Sequence, residues 1–219
     1  MAETPKGAIL QRDNETYAIV PKTGLAGLLN AETLRKLADV VEKYQIPVVK
    51  LTASQRVALV GIKGEDVNKV WEDLGMEPAP ATGLCVRSVQ SCPGSTLCKY
   101  GKQDALGLAA RLDELFCGTA LPNKFKMGIS GCPLNCCEAW TRDFGTFGKA
   151  NGFTVLIGGN AGATPHIGKV LAEGLSIEEV LALATRLINF YKDNAKNGER
   201  MFKFVERLGI EEIQKAVLA

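Results

Sequence analysis

Four cysteines, set in two proline-led loops far apart in the chain, constrain the fold more than any other feature. Cys92 and Cys98 enclose five residues, Pro-Gly-Ser-Thr-Leu. Cys132 and Cys136 enclose three, Pro-Leu-Asn, and Cys137 follows at once. Proline directly after Cys92 and Cys132 stiffens each loop, while Gly94 and Gly131 permit tight backbone paths. For the two pairs to act together, the fold must carry both loops to one place. A cubane iron–sulfur cluster makes that demand, because it takes four thiolates, one on each iron, from different directions. Structural zinc is the chemical rival; its short knuckle spacing suits Cys132 and Cys136 but not Cys92 and Cys98. Buried, chemically idle thiols are a third reading, and the one that suits Cys85 and Cys117.

The remaining composition narrows the setting. At 219 residues, 46% hydrophobic and 23% charged, the chain can bury a core as one large domain or two small ones. Lys and Arg total 26 against 24 Asp and Glu, a net charge of +2, which excludes a global basic field for nucleic acid but not a local basic patch. Seven cysteines argue against a fully paired disulfide framework, and a single histidine excludes a multi-histidine metal site within one chain. No stretch approaches the roughly 18 apolar residues of a membrane helix. Met1 to Arg12 has no basic segment followed by an apolar one, so no signal peptide is expected. The expected compartment is the cytoplasm, where thiols stay reduced.

Periodicity predicts an alternation of strands and helices. Thr16–Val20 reads as a strand, followed by a loop through Gly27. Asn30 caps a helix with Leu34, Leu37, Ala38 and Val41 on its apolar face. Ile46–Leu51 and Arg56–Ile62 are β-branched runs. Glu65–Leu74 is a helix with Val67, Val70, Trp71 and Leu74 inward and Gly75 as its stop. After the Pro78-Ala-Pro80 connector, Leu84–Val89 suits another strand. That order is the split βαβ, ferredoxin-like pattern (βαββαβ). Beyond it the sequence predicts a helix over Gly101–Phe116, a strand over Lys124–Ile129, a short helix over Leu134–Trp140 and a strand over Phe153–Ile157. A Ser176/Glu179 capping box opens a helix through about Tyr191, and two short helices follow, Glu199–Leu208 and Glu211–Val217. The fold class is α+β, with a first subdomain over residues 1–80 and a second over 81–219.

Ser91-Cys-Pro-Gly-Ser-Thr-Leu-Cys98 together with Gly131-Cys-Pro-Leu-Asn-Cys136 resembles the sirohaem and iron–sulfur signature of sulfite and nitrite reductases. The resemblance runs from about Val48 to Ala219, and the length resembles the small, low-molecular-weight sulfite reductases. It implies one sulfite/nitrite reductase repeat, with residues 81–219 as the sirohaem and 4Fe-4S subdomain. By the same resemblance Cys92, Cys98, Cys132 and Cys136 hold the cluster, and the sulfur of Cys136 is also the axial ligand of the sirohaem iron. Cys137 departs from the family pattern and is read as no ligand. Arg87 resembles the family arginine at the distal face of the sirohaem. Pro122-Asn-Lys124-Phe-Lys126 resembles the strand that sends two lysines toward substrate, and alternation alone puts Lys124 and Lys126 on one side. Leu51–Arg56 resembles the first family motif, with Arg56 in place of an arginine at Ser54. Gly158–Gly162 with Pro165-His166 resembles the segment that receives sirohaem carboxylates, which implies roles for Asn160, Gly162 and Lys169.

The activity implied is six-electron reduction of sulfite to sulfide, with nitrite to ammonia as the alternative. A non-catalytic electron-transfer module is a further alternative, one that would have no use for Arg87, Lys124 and Lys126. The implied partners are a small anion and ferredoxin or a similar one-electron donor. The large enzymes divide cluster cysteines and basic residues between two repeats, whereas this chain carries both sets. Either one subunit closes its own site, or two copies exchange basic residues as a homo-oligomer.

Overall fold

The computed structural model describes residues 4–218; the first three residues of the segment read for a leader lie outside them. The chain divides into two compact units at Ala81/Thr82.

The N-terminal unit contains β1 (Ala8–Leu10), β2 (Thr16–Ile19), α1 (Ala31–Lys43), β3 (Val48–Leu51), β4 (Val57–Lys63) and α2 (Val67–Leu74). Its antiparallel sheet has the order β1-β2-β4-β3. Ile19, Leu59 and Ile62 from the sheet meet Leu37, Val40, Val70 and Leu74 from the helices in one core. Asn30 caps α1 as expected, its side chain accepting from the Thr33 N–H at 2.8 Å. The buried face of α1 is narrower than the one read from sequence: Leu37 and Val40 are buried and Val41 packs at the edge, but Leu34 and Ala38 are exposed. Gly75 ends α2 in the left-handed region, φ 56°.

The closing strand of the ferredoxin-like pattern differs from the sequence reading. The stretch read as Leu84–Val89 forms β5 (Val86–Ser91), which belongs to the sheet of the second unit. Its place beside β2 is taken by β1. Three residues carry too short an alternation to be seen as a strand, and alternation does not say which sheet a strand joins.

The second unit continues with α3 (Gly94–Leu97), α4 (Ala105–Phe116), β6 (Phe125–Ser130), β7 (Phe144–Lys149), β8 (Gly152–Ile157), the short pair β9 (Asn160–Ala161) and β10 (Pro165–His166), β11 (Lys169–Leu175), α5 (Ile177–Asn194), α6 (Met201–Leu208) and α7 (Ile210–Leu218). The sheet order is β11-β8-β7-β6-β5, with β5, β6 and β7 parallel and the rest antiparallel. The α4 crossover covers β5 and β6, and α5 lies on β8 and β11. Phe125, Phe144, Phe153, Tyr191 and Phe204 are fully buried between these layers. The capping box at Ser176 is formed on both sides.

Three readings of this unit are corrected. Leu134–Trp140 is a set of turns, because Asn135 and Glu138 take left-handed φ of 55° and 54° and leave only a short helical turn at Ala139–Thr141. The helix predicted from Gly101 begins at Ala105, capped by Asp104, whose carboxylate accepts from the Gly107 N–H at 2.9 Å. The strand β7 is absent from the reading because Phe-Gly-Thr-Phe-Gly-Lys looks like a loop. Its glycines permit close packing instead: a Cβ on Gly145 would lie 2.1 Å from the Ala139 carbonyl oxygen.

Candidate functional site

Both cysteine loops leave the carboxyl ends of neighbouring parallel strands, Cys92 just after β5 and Cys132 just after β6. In α/β sheets that edge is where ligands are usually received. Main-chain hydrogen bonds then knit the loops together. The Cys92 N–H donates to the Ile129 carbonyl at 3.2 Å, and the Ser95 N–H to Gln103 at 3.0 Å. The N–H groups of Lys102 and Gln103 both donate to the Gly131 carbonyl, at 2.7 and 3.0 Å. Residues 101–104 therefore serve as a tie between the loops, which is why α4 starts late. The approach is so close that a Cβ on Gly131 would lie 2.5 Å from the Gly94 Cα and 2.9 Å from the Gln103 carbonyl oxygen. Gly101 and Gly148 are as tightly enclosed, the one against Gly94 and the other against Gly131.

The thiols differ in environment. Cys132 is buried, Cys92 and Cys98 are half-buried and Cys136 is exposed. The Gly131 N–H donates to Cys92 Sγ at 3.1 Å, the kind of contact that tunes the potential of a cluster sulfur. Cys137 is buried, and burial first, then the neighbouring Cys92, pushes its thiol up to about 12. Cys85 and Cys117 are half-buried rather than core residues.

A second feature lies on β6 and its neighbours. Phe125 faces the core beside Tyr191, while Lys124 and Lys126 flank it and line a pocket of roughly 120 Å³. Alternation places both lysines on one wall, as expected. Asn160 and Gly162 line the same pocket, so four of the residues singled out from sequence meet there. Arg142, Asp143 and Arg200 complete it, and the sequence reading had not selected them. Among the described residues neither lysine ammonium has a hydrogen-bond or ion-pair partner. Burial first, then the charges of Arg142 and Lys124, lowers the pKa of Lys126. Asp143 is buried and bridges the pocket wall. Its carboxylate accepts from Arg200 Nη2 at 3.0 and 3.2 Å and from the Lys126 N–H at 3.0 Å. Burial raises its pKa against the opposing pull of Arg200. Arg142 donates to the Cys137 carbonyl at 3.1 Å and to Glu138 at 3.0 Å. The pocket thus gathers four cations around one carboxylate.

The other expected site residues lie elsewhere. Arg87 sits on β5 and its Nε donates to the Gly83 carbonyl at 2.9 Å; it is not among the residues lining the lysine pocket. Lys169 lines a different hollow, of about 370 Å³, with His166, Phe202 and Glu206. There His166 Nδ1 lies 3.0 Å from Glu206 and its ring stacks on Phe202. Arg56 belongs to the N-terminal unit, where its N–H faces Thr52 Oγ at 3.3 Å at the β3–β4 turn.

Two family models match along the chain. That of the nitrite and sulphite reductase 4Fe-4S domain covers residues 82–219, and that of the nitrite/sulfite reductase ferredoxin-like half domain covers residues 9–77. The chain belongs to the nitrite and sulfite reductase family. An assimilatory-type sulfite reductase of Nitratidesulfovibrio vulgaris is 48% identical over 218 residues, which is 100% of both chains. A nitrite reductase [NAD(P)H] of Bacillus subtilis is 40% identical over 210 residues, covering 96% of this chain but 26% of that protein. Among solved structures, dissimilatory sulfite reductase I superposes with a TM-score of 0.80 over 93% of this chain and 69% of its own, at 14% identity. The NirA protein of Mycobacterium tuberculosis gives 0.78 over 95% and 42%, at 18% identity. At those identities the likeness is one of fold.

Membership makes the chain an oxidoreductase of a family that works with a 4Fe-4S cluster and sirohaem. The residues present offer the donor set both groups call for, four thiols and a cationic pocket, although among the described residues no three metal-ligating side chains stand close enough together to hold a metal ion as they are. Two glycine-packed loops bring two cysteine pairs to one edge of the sheet, as a cubane requires. A pocket of roughly 120 Å³ with unpartnered ammonium groups suits a small anion or a single carboxylate of an anionic cofactor. No described helix is long and apolar enough to cross a membrane.

Proposed function

We propose that this chain reduces sulfite to sulfide, holding a 4Fe-4S cluster on Cys92, Cys98, Cys132 and Cys136, with Cys136 also turned to the sirohaem iron. When bound, the two groups would supply the metal that receives the anion and would relay, one at a time, the six electrons that the external donor provides. The exposure of Cys136, alone among the four, supports its service to a second group. The chain's own part is electrostatic and protonic. Lys124 and Lys126 neutralise the incoming oxyanion and, as ammonium groups, are proton sources for oxygen leaving as water. Asn160 and Gly162 stand on the same wall, where a backbone N–H can donate to an anionic group. Arg87, with a planar fork suited to oxyanions, would hold substrate or cofactor oxygens, and Arg56 of the N-terminal unit is proposed as a further oxyanion-binding residue. Lys169 is assigned to a cofactor carboxylate.

One observation carries this reading: four cations around a single carboxylate, two of them without partners, in the unit that also holds the cysteine pairs. A bare electron-transfer module has no need of such a pocket. Sulfite is favoured over nitrite because the likeness to a sulfite reductase spans the whole length of both chains. The donor is a one-electron carrier of the ferredoxin kind, and the compartment is the cytoplasm. Either one subunit closes its own site or two copies exchange basic residues as a homo-oligomer, and the solution mass of the active holo-protein decides between them. The deciding experiment is anaerobic turnover with a reduced dye, comparing sulfite and nitrite. Stoichiometric sulfide is expected, and protein that carries neither iron nor an isobacteriochlorin spectrum sinks the reading.

A further inference from the structure

The pocket contains an arginine whose setting is more than structural. Arg200 is the N-cap residue just before α6, with its side chain 16% exposed. Asp143 holds one edge of its guanidinium, with Nε at 3.4 Å and Nη2 at 3.0 Å from Oδ1. Nη2 also lies 3.5 Å from the Asn160 Oδ1. Nη1 has no partner among the described residues, so one corner of the fork is left for a ligand. The carboxylate that aims it is 1% exposed and is itself fixed by the Lys126 N–H on β6. Arg200 is thereby tied to the same strand that carries the two lysines. A buried ion pair made only to stitch α6 to β6 would be expected to sit in a neutral surround, because unpaired charge near it is costly. Here Lys124 and Lys126 add two positive groups that have no partner among the described residues, while Arg142 is paired with Glu138 at 3.0 Å. That surplus calls for an anion, and a guanidinium corner offers it directional hydrogen bonds that an ammonium cannot.

We propose that Arg200 is an anion-receiving residue of this pocket and that Asp143 is the positioning residue that aims it. The inference rests on the proposed function and deepens it. The ligand is an oxyanion group, either a carboxylate of the bound macrocycle or the sulfite itself. Its recognition is set by a pair 57 residues apart in sequence, just before β7 and just before α6, neither of which carries a cysteine ligand.

The test is R200K and D143N in the holoenzyme, with sirohaem and labile sulfide per chain, kcat and KM for sulfite, and the unfolding midpoint measured together. R200K keeps the positive charge beside Asp143 but loses the fork, so the fold is preserved. If the macrocycle carboxylate is the ligand, sirohaem per chain falls about fivefold while labile sulfide is unchanged. If sulfite is the ligand, both cofactors stay at full load and KM rises about tenfold with little change in kcat. D143N moves the same quantity as R200K in the same direction, by less. The proposal is overturned if both variants keep sirohaem content and KM within about twofold of the parent, whatever happens to the unfolding midpoint. A parent protein without sirohaem breaks the proposed function and this inference with it. A loaded parent with indifferent variants breaks only the inference.

Discussion

The cysteine loops and the cationic pocket lie in the same unit but are built by different means. The loops are placed by main chain: hydrogen bonds from Lys102 and Gln103 to Gly131, and a contact between Gly94 and Gly131 with no room for a side chain. The pocket is placed by long side chains reaching from Lys124, Lys126, Arg142 and Arg200, of which Arg200 is held by a buried carboxylate. Metal ligation needs sulfurs at fixed positions, which a backbone can guarantee. Binding a small anion needs charge within reach, which flexible side chains supply and can adjust. The loops should therefore fail all at once when disturbed, and the pocket by degrees.

The largest expected effect is that of Cys136→Ser, which should remove both the cluster and the isobacteriochlorin bands from the absorption spectrum. A normal spectrum from that variant would break the assignment of a shared sulfur. Gly131→Ala comes next and tests the backbone half of the contrast without touching a thiol. Its new methyl group would meet main-chain atoms that have no room to move, so iron and labile sulfide per chain should fall by about tenfold. If iron content is unchanged, the loops are more compliant than their packing implies.

The pocket side of the comparison is tested by Lys124→Ala and Lys126→Ala. Each should keep both cofactors and lower kcat/KM for sulfite by about 10- to 100-fold. Unchanged turnover would make them surface lysines. A finer test uses pH. Burial lowers the Lys126 pKa below the ordinary lysine value of about 10.4. Its protonated form is the one that attracts sulfite, so KM should begin to rise with pH earlier than an unperturbed lysine would allow. Lys124→Ala removes one repelling charge and should move that rise upward, while Lys126→Arg should abolish it. A KM–pH profile identical in all three proteins would remove Lys126 from the substrate site. The smallest effect belongs to Cys137→Ala. A buried thiol with a pKa pushed up to about 12 is no thiolate at neutral pH, and iron per chain should stay within about a tenth of the parent.

This contrast also explains what could be read from the sequence. The cysteine loops were legible because their signal is local: Cys-Pro pairs at short spacing, with glycines beside them. The same holds for the Asn30 cap, the Ser176/Glu179 box and the facing of Lys124 and Lys126. Arg142 and Arg200 were not legible. Each looks like any surface arginine until the fold brings Asp143 onto Arg200 from a distant segment. The Leu134–Trp140 stretch failed for a related reason. Its helical composition is overridden by Asn135, whose side chain accepts from the Ala139 N–H at 2.9 Å and holds a turn that keeps the Cys136–Cys137 backbone against Ser130. The family resemblance groups Lys169 with Asn160, and the two line different hollows.

The glycines at the loop crossing shape how this protein tolerates mutation. Gly94, Gly101, Gly131 and Gly148 pack backbone to backbone, and every amino acid other than glycine brings a Cβ into that crossing. In a saturation scan scored by sulfite-dependent growth, these four positions should be as empty as the four ligand positions. Such a scan would return eight intolerant sites in one cluster, and only measuring bound iron beside folded protein would separate the atoms that hold metal from those that must be missing.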